Sequence, residues 1–128
     1  LSNVTTVQRA IRIDSLPGAG GAKIVLRYRD RVFNLDGSSQ PFTLGRELNS
    51  TLVIDAEWVS RNHAMIEYKR GYFVVSDRST NGTWVKLGED DELRLHRDET
   101  QLRKSGTISL GQAVAANKED VLFFQCSG

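Results

Sequence analysis

This chain of 128 residues has one cysteine, a net charge close to zero and no long apolar run. Its single cysteine, Cys126, cannot form an internal disulfide, and a lone thiol is typical of a reducing compartment, so we expect a cytoplasmic protein. The formal net charge of +1 argues against the broad basic surface of a nucleic-acid-binding protein. No apolar run approaches the roughly 20 residues that span a membrane, and no signal-peptide pattern is visible. We therefore expect neither nucleic acid nor membrane among the partners.

Residues that hold metals or cofactors are equally scarce. The two histidines, His63 and His96, lie far apart and do not have the spacing of a zinc site. The acidic run Asp90-Asp91-Glu92 lacks the ligand spacing of a calcium loop. The glycine-rich stretch 17–21 lacks the Gly-Lys-Ser/Thr of a phosphate-binding loop and precedes a strand pattern, which indicates a flexible turn. We expect no metal and no cofactor.

Short apolar–polar alternations separated by turns fill the chain from Lys23 onward. Ala64 to Lys69 and Tyr72 to Ser76 alternate on either side of Arg70-Gly71, which is the pattern of a β-hairpin. About ten or eleven such strands follow one another, and no segment predicts a helix with any strength. This spacing is typical of an all-β sandwich or barrel.

The length fits a single domain with one core. We place that domain at residues 23–128 and interpret residues 1–22 as a linker or N-terminal extension. Because the chain begins with Leu1 and not with Met, we expect it to be part of a longer protein.

Three polar clusters separate the strands between Phe42 and Val85, and loops held by a rigid scaffold commonly bind ligands. They offer two guanidinium groups, two hydroxyl groups and one amide that both donates and accepts. A phosphate dianion, with its three acceptor oxygens, fits such a donor-rich set, and the amide suits a peptide backbone. The clusters are Gly45-Arg46, Ser60-Arg61-Asn62-His63 and Asp77-Arg78-Ser79-Thr80-Asn81-Gly82-Thr83.

These clusters, followed by Gly106-Thr107-Ile108-Ser109-Leu110-Gly111, resemble in order and spacing the forkhead-associated (FHA) domain. The resemblance covers about Ile24 to Gln125. It implies an antiparallel β-sandwich of about eleven strands whose loops at one end bind phosphothreonine in partner proteins. It also implies a non-catalytic recognition module of a larger, bacterial signalling protein. The phosphorylated partner is then another protein or another segment of the same protein.

The resemblance implies that five residues contact the phosphopeptide. Arg46 matches the arginine that contacts the phosphate, and Ser60 matches a serine that donates to a phosphate oxygen. Arg61 lies where the family places a basic or amide residue near the phosphate, and Thr80 matches a further phosphate or loop contact. Asn81 matches the asparagine that holds the ligand main chain. Four further residues are implied to support the loops: Gly45, His63, Gly82 and Thr83.

The segment Gly88–Arg103 departs from the family pattern because it lengthens the chain after the Asn-Gly-Thr strand. In this it resembles FHA domains attached to bacterial class III nucleotide cyclases. One alternative is a phosphate-independent docking or oligomerisation domain that regulates an attached enzyme such as an adenylate or guanylate cyclase. Another is an esterase built on Ser60, His63 and Asp77, although no nucleophile-elbow pattern surrounds Ser60. Trp58 is either a packing residue or a wall for ligand residues after the phosphothreonine.

Overall fold

The structure is a computed structural model, and it describes residues 21–127. The segment interpreted as a linker, residues 1–22, therefore lies outside the described residues except for its last two. Strands dominate the described chain, and the predicted all-β sandwich of about eleven strands is confirmed. The strands are β1 (Lys23–Tyr28), β2 (Arg31–Asp36), β3 (Phe42–Gly45), β4 (Leu52–Val53), β5 (Ala64–Lys69), β6 (Tyr72–Asp77), β7 (Thr83–Leu87), β8 (Leu93–Leu95), β9 (Glu99–Leu102), β10 (Ser105–Leu110) and β11 (Leu122–Ser127).

The strands form two sheets. One has six strands in the order β2-β1-β11-β10-β7-β8, and the other has five in the order β4-β3-β5-β6-β9. Neighbouring strands are antiparallel, except that the two-residue β4 lies parallel to β3. The predicted β5–β6 hairpin is confirmed, with Lys69 opposite Tyr72. Its turn residues Arg70 and Gly71 both have positive φ, as the tight turns that match strand twist require.

Alternation along the strands produces one core between the sheets. In β1, Ile24, Leu26 and Tyr28 are buried while the intervening side chains are exposed. Phe42 and Ile66 fill the opposite side from the five-stranded sheet. Each fully buried side chain of this kind contributes about 1.5–3 kcal/mol relative to its exposed state. The loops therefore rest on a packed and rigid scaffold.

A short helical segment departs from the sequence prediction. The helix α1 (Val114–Asn117) and a 3-10 turn (Lys118–Asp120) join β10 to β11, where no helix was predicted. Four helical residues are too few to show a 3.6-residue periodicity. The segment is held by tertiary contacts, because the buried Asn117 amide donates to Ser109 Oγ (2.6 Å) and to the Leu110 carbonyl (3.1 Å).

Strand register brings the three polar clusters to one end of the sandwich. Leu44 lies opposite Ala64, and Ala64 lies opposite Asp77. The ends of β3 and β6 and the start of β5 are therefore neighbours. The loops that continue from these strands project from the same edge, and the predicted convergence of the clusters is observed.

Candidate functional site

The end of β3 is joined closely to the loop between β4 and β5. The Arg46 amide donates to the Ser60 carbonyl (3.0 Å), and the Glu47 amide donates to the Arg61 carbonyl (3.1 Å). A Cβ atom on Gly45 would lie 2.0 Å from the Arg61 carbonyl oxygen, so only glycine permits this approach. Gly45 therefore sets the distance between the loop that carries Ser60 and the strand end that carries Arg46.

The Arg46 side chain is anchored near its middle and free at its tip. Its Nε donates to the Val59 carbonyl (2.5 Å), which holds the guanidinium plane in place. The side chain is exposed, and its two terminal nitrogens have no hydrogen-bond partner within residues 21–127. An arginine fixed in this way presents a planar pair of donors, which suits an oxyanion.

His63 joins two of the loops from inside the protein. Its imidazole is fully buried; Nδ1 accepts from the Ser60 amide (2.9 Å), and Nε2 lies 2.8 Å from the Gly82 carbonyl. Because an amide must donate and a carbonyl must accept, the ring is neutral with its proton on Nε2. Burial lowers the pKa of His63, although the Gly82 carbonyl and Asp77 act in the opposite direction.

Asp77 organises the loop between β6 and β7. Its buried carboxylate accepts from the Ser79 hydroxyl (2.6 Å), the Thr83 hydroxyl (2.6 Å) and the Arg97 amide (2.8 Å). Burial alone would raise the pKa of Asp77, but these hydrogen bonds outweigh it and hold the pKa below its ordinary value. The Ser79 hydroxyl also accepts from the Gly82 amide (2.7 Å). The predicted support residues Gly82 and Thr83 are thus held through a carboxylate to which the sequence analysis gave no supporting role.

Ser60, Thr80 and Asn81 meet on the exposed side of these loops. Ser60 Oγ accepts from the Thr80 amide (3.1 Å), so the hydroxyl proton is free to donate elsewhere. The Asn81 side-chain amide donates to the Trp58 carbonyl (3.0 Å), and its oxygen and second N–H have no partner among the residues that the structure describes. Thr80 and Asn81 are both exposed. The structure therefore brings three of the predicted contact residues together.

The structure does not show Arg61 and Trp58 held in a position that faces a ligand. The Arg61 side chain is exposed and forms no ion pair within residues 21–127, so it is positioned only through its backbone. Trp58 is half-buried and packs against the core, and its ring atom Cδ1 lies 2.9 Å from where a Cβ on Gly111 would be. These contacts support the packing interpretation of Trp58, and the proposed ligand wall stays a prediction.

Two arginines that the sequence analysis left unassigned also contact the site. Arg94 in β8 donates to the Asn81 carbonyl through Nη2 (2.9 Å) and Nε (3.3 Å). Arg97, which follows β8, donates through Nε to the Ser79 carbonyl (3.0 Å). No local pattern marks these contacts, because they depend on how an added strand pairs with β7.

The geometry does not support the esterase alternative. Both His63 nitrogens are occupied by backbone groups of Ser60 and Gly82, so the imidazole is not available as a base for the Ser60 hydroxyl. His63 Nε2 lies 3.9 Å from Asp77 Oδ1. The Asp77 carboxylate instead accepts hydrogen bonds from Ser79, Thr83 and Arg97. Asp77, His63 and Ser60 thus form a support for the loops and not a nucleophilic triad.

Within residues 21–127, no group of three metal-ligating side chains comes together. No helix in this part of the chain is long and apolar enough to cross a membrane.

A concavity of about 700 Å³ lies at the opposite end of the sandwich, beside Arg70, Gly88 and Lys104. The polar loops instead form an open, exposed surface, which suits an extended ligand more than an enclosed small molecule.

Comparison with known proteins agrees with this architecture. The Mycobacterium tuberculosis Rv1747 FHA-1 domain has a TM-score of 0.64 at 18% identity, over 84% of this chain and 98% of that chain. M. tuberculosis EmbR, solved in complex with a low-affinity phosphopeptide, has a TM-score of 0.63 at 24% identity, over 83% of this chain and 25% of that chain. The MEK1 FHA domain, solved in complex with a HOP1 phosphothreonine peptide, has a TM-score of 0.60 at 22% identity, over 80% and 94%. At these identities the likeness concerns the fold.

The family comparison is more specific. No curated protein matches the chain, but the family model of the FHA domain matches residues 42–111. That match covers more than half of the chain and includes the three polar loops. The chain belongs to the FHA domain family.

Proposed function

We propose that this domain binds phosphothreonine in a partner protein and that it does so without catalysis. The observation that carries the proposal is the meeting of Arg46, Ser60 and Thr80 at one edge of the sandwich. Within residues 21–127, the terminal nitrogens of Arg46 and the hydroxyl proton of Ser60 have no acceptor. A phosphate dianion carries about −1.5 to −2 charge at neutral pH and three acceptor oxygens. The phosphate would accept hydrogen bonds from the terminal nitrogens of the Arg46 guanidinium and from the Ser60 hydroxyl.

Preorganisation strengthens this binding. The Arg46 guanidinium is already held by the Val59 carbonyl, and Ser60 is held by His63 through its backbone amide. Little conformational entropy is then lost when the phosphate arrives. Charge-assisted hydrogen bonds contribute about 1.5–3 kcal/mol each, so three or four of them, less the cost of ordering a peptide, give affinity on the order of micromolar.

Asn81 is assigned to the ligand main chain. Its free oxygen and second N–H match a peptide unit, which needs both an acceptor and a donor. Arg61 and Thr80 add an exposed guanidinium and an exposed hydroxyl beside the phosphate. Gly45, His63, Gly82 and Thr83 keep their role as supports.

The class of ligand is supported by the two relatives solved with a phosphopeptide and a phosphothreonine peptide. The partner is another protein or another segment of the same protein, and residues 1–22 are proposed as a linker or N-terminal extension to the domain at residues 23–128. The cytoplasmic location, the bacterial origin and the attachment to a nucleotide cyclase stay predictions.

The test is binding of a degenerate peptide pool with one fixed phosphothreonine, measured by fluorescence anisotropy. We expect micromolar binding by the wild-type domain and none by Arg46→Ala, whose fold is checked by thermal unfolding. Arg27→Ala is a matched control, because Arg27 is exposed and contacts Phe123, away from the loops. Absence of wild-type binding, or equal binding by Arg46→Ala, would show that the assignment is wrong. Binding that does not depend on phosphorylation would favour the docking or oligomerisation domain.

A further inference from the structure

The loop Ser79–Gly82, which carries Thr80 and Asn81, turns its carbonyl groups towards donors of the protein. The Ser79 carbonyl accepts from Arg97 Nε, and the Asn81 carbonyl accepts from Arg94. The Gly82 carbonyl accepts from the Gly111 amide and contacts His63 Nε2. Three of the four carbonyls are therefore engaged, and two of them are engaged by arginine.

Arg94 is held firmly against this loop. Its guanidinium lies over the Trp84 ring, 5.2 Å from the ring centroid, and it donates twice to one carbonyl oxygen. A Cβ atom on Gly82 would lie 2.7 Å from Arg94 Nε, so the side chain fills the space beside the loop. Stacking on one side and donation on the other fix the position of the Asn81 carbonyl.

Arg97 is anchored at two points. Its amide donates to Asp77 Oδ2 (2.8 Å) and its Nε donates to the Ser79 carbonyl (3.0 Å). Its backbone has a positive φ of 62°, a conformation that the bond to Asp77 helps to hold. Arg97 therefore couples the carboxylate that organises the loop to the peptide that precedes Thr80.

These contacts matter electrostatically for an anion. A carbonyl oxygen that pointed at a bound phosphate would repel it, whereas a carbonyl paired with a guanidinium has its partial negative charge compensated. Arg94 and Arg97 thus leave the Thr80 and Asn81 side chains and the Ser60 hydroxyl as the groups that face the ligand. Arg94 and Arg97 both lie in the segment Leu93–Leu102, which belongs to the lengthened part of the chain.

We propose that Arg94 and Arg97 are positioning residues that hold the Ser79–Gly82 loop ready for the ligand without contacting the phosphate themselves. The proposal rests on the proposed function of the site. It predicts that Arg94→Met weakens binding of the degenerate phosphothreonine peptide pool about fivefold, equivalent to about 1 kcal/mol. The double variant Arg94→Met with Arg97→Met weakens binding by more than tenfold.

Two readouts separate positioning from other roles. Amide hydrogen exchange without ligand reports the loop directly, through the Thr80 and Gly82 amides that donate to side-chain oxygens. We expect both to exchange at least about five times faster in Arg94→Met, while the buried Ile66 amide is unchanged. Arg94→Lys keeps the charge but can donate only one bond to the Asn81 carbonyl, so we expect an intermediate affinity.

Arg27→Met is the matched control, because Arg27 also lies over an aromatic ring, that of Phe123, on the outer face of the six-stranded sheet. We expect it to bind like the wild type. If Arg94→Met weakens binding but leaves the Thr80 and Gly82 amides unchanged, or if Arg94→Lys binds like the wild type, the effect is long-range charge and the inference is wrong. Unchanged binding by Arg94→Met also overturns it. Failure of the wild type to bind overturns the proposed function itself, and the inference falls with it.

Discussion

Replacement of Gly45 by alanine tests whether close backbone approach builds the site. The added Cβ would lie 2.0 Å from the Arg61 carbonyl oxygen, 2.8 Å from the carbonyl carbon and 3.0 Å from the Ser60 carbonyl oxygen. All three atoms belong to the backbone, so no flexible side chain can move aside. The loop must instead move away from β3 by about 1.5–2 Å, since ordinary contacts at carbon are about 3.5–4.0 Å.

The size of the effect follows from the bonds at that junction. Moving the loop breaks or stretches two backbone hydrogen bonds, Arg46 to Ser60 and Glu47 to Arg61, which contribute about 0.5–1.5 kcal/mol each. Overpacking adds about 1–3 kcal/mol. We therefore expect Gly45→Ala to lower the free energy of unfolding by about 2–6 kcal/mol. Because Ser60 moves relative to Arg46, we also expect phosphopeptide affinity to fall about tenfold or more in the fraction that stays folded.

Chemical denaturation and peptide titration at a temperature far below unfolding measure the two effects separately. Gly71→Ala and Gly88→Ala are controls for added conformational strain, because both glycines have positive φ but no atom lies within 4 Å of the added Cβ. These controls should cost only about 1–2 kcal/mol and leave affinity unchanged. If Gly45→Ala behaves like them, the close approach of Gly45 to the Arg61 carbonyl does not determine the geometry of the site.

Three further substitutions test other parts of the site. Because the pKa of His63 is lowered below its unfolded value of 6.5, the free energy of unfolding should fall as pH drops below about 6.5, and His63→Gln should lose this dependence in denaturation at several pH values. Asp77→Asn places an amide N–H against buried donors and should destabilise by about 2–3 kcal/mol in urea denaturation. Ser60→Ala should weaken phosphopeptide binding about tenfold in titration, since one charge-assisted bond is lost.

Each of these expectations has a contradicting outcome. A stability profile of the wild type that is flat between pH 7 and 5 would contradict the account of His63. Unchanged urea denaturation of Asp77→Asn would mean that the carboxylate does not organise its loop. Unchanged affinity of Ser60→Ala would remove Ser60 from the proposed phosphate contacts.

The fold could be predicted well because its signals are local. The β5–β6 hairpin forms where the alternation of Ala64 to Lys69 and Tyr72 to Ser76 indicated, with its turn at Arg70-Gly71. The four-residue α1 and the parallel pairing of β3 with β4 could not be predicted in this way. Both depend on contacts between segments, which no window of the sequence displays.

The residues of the candidate site could likewise be predicted only where the sequence carries a local signal. Arg46, Ser60, Thr80 and Asn81 meet because the loops that carry them begin or end at neighbouring strand ends, and strand ends can be located from the sequence. The roles of Asp77, Arg94 and Arg97 were missed. The Asp77-x-Ser79 spacing is typical of a side chain that bonds two residues ahead, as the Ser79 contacts show, and this signal was available. The two arginine contacts depend on three-dimensional pairing and had no such signal.

The central claim is tested most directly by calorimetric titration of one peptide in two forms. The peptide is a pool member that binds, and its threonine is either phosphorylated or unmodified. We expect micromolar binding of the phosphorylated form, no measurable binding of the unmodified form, and loss of binding in Arg46→Ala. Equal affinity for the two forms, or an unchanged affinity in Arg46→Ala, would contradict the central claim.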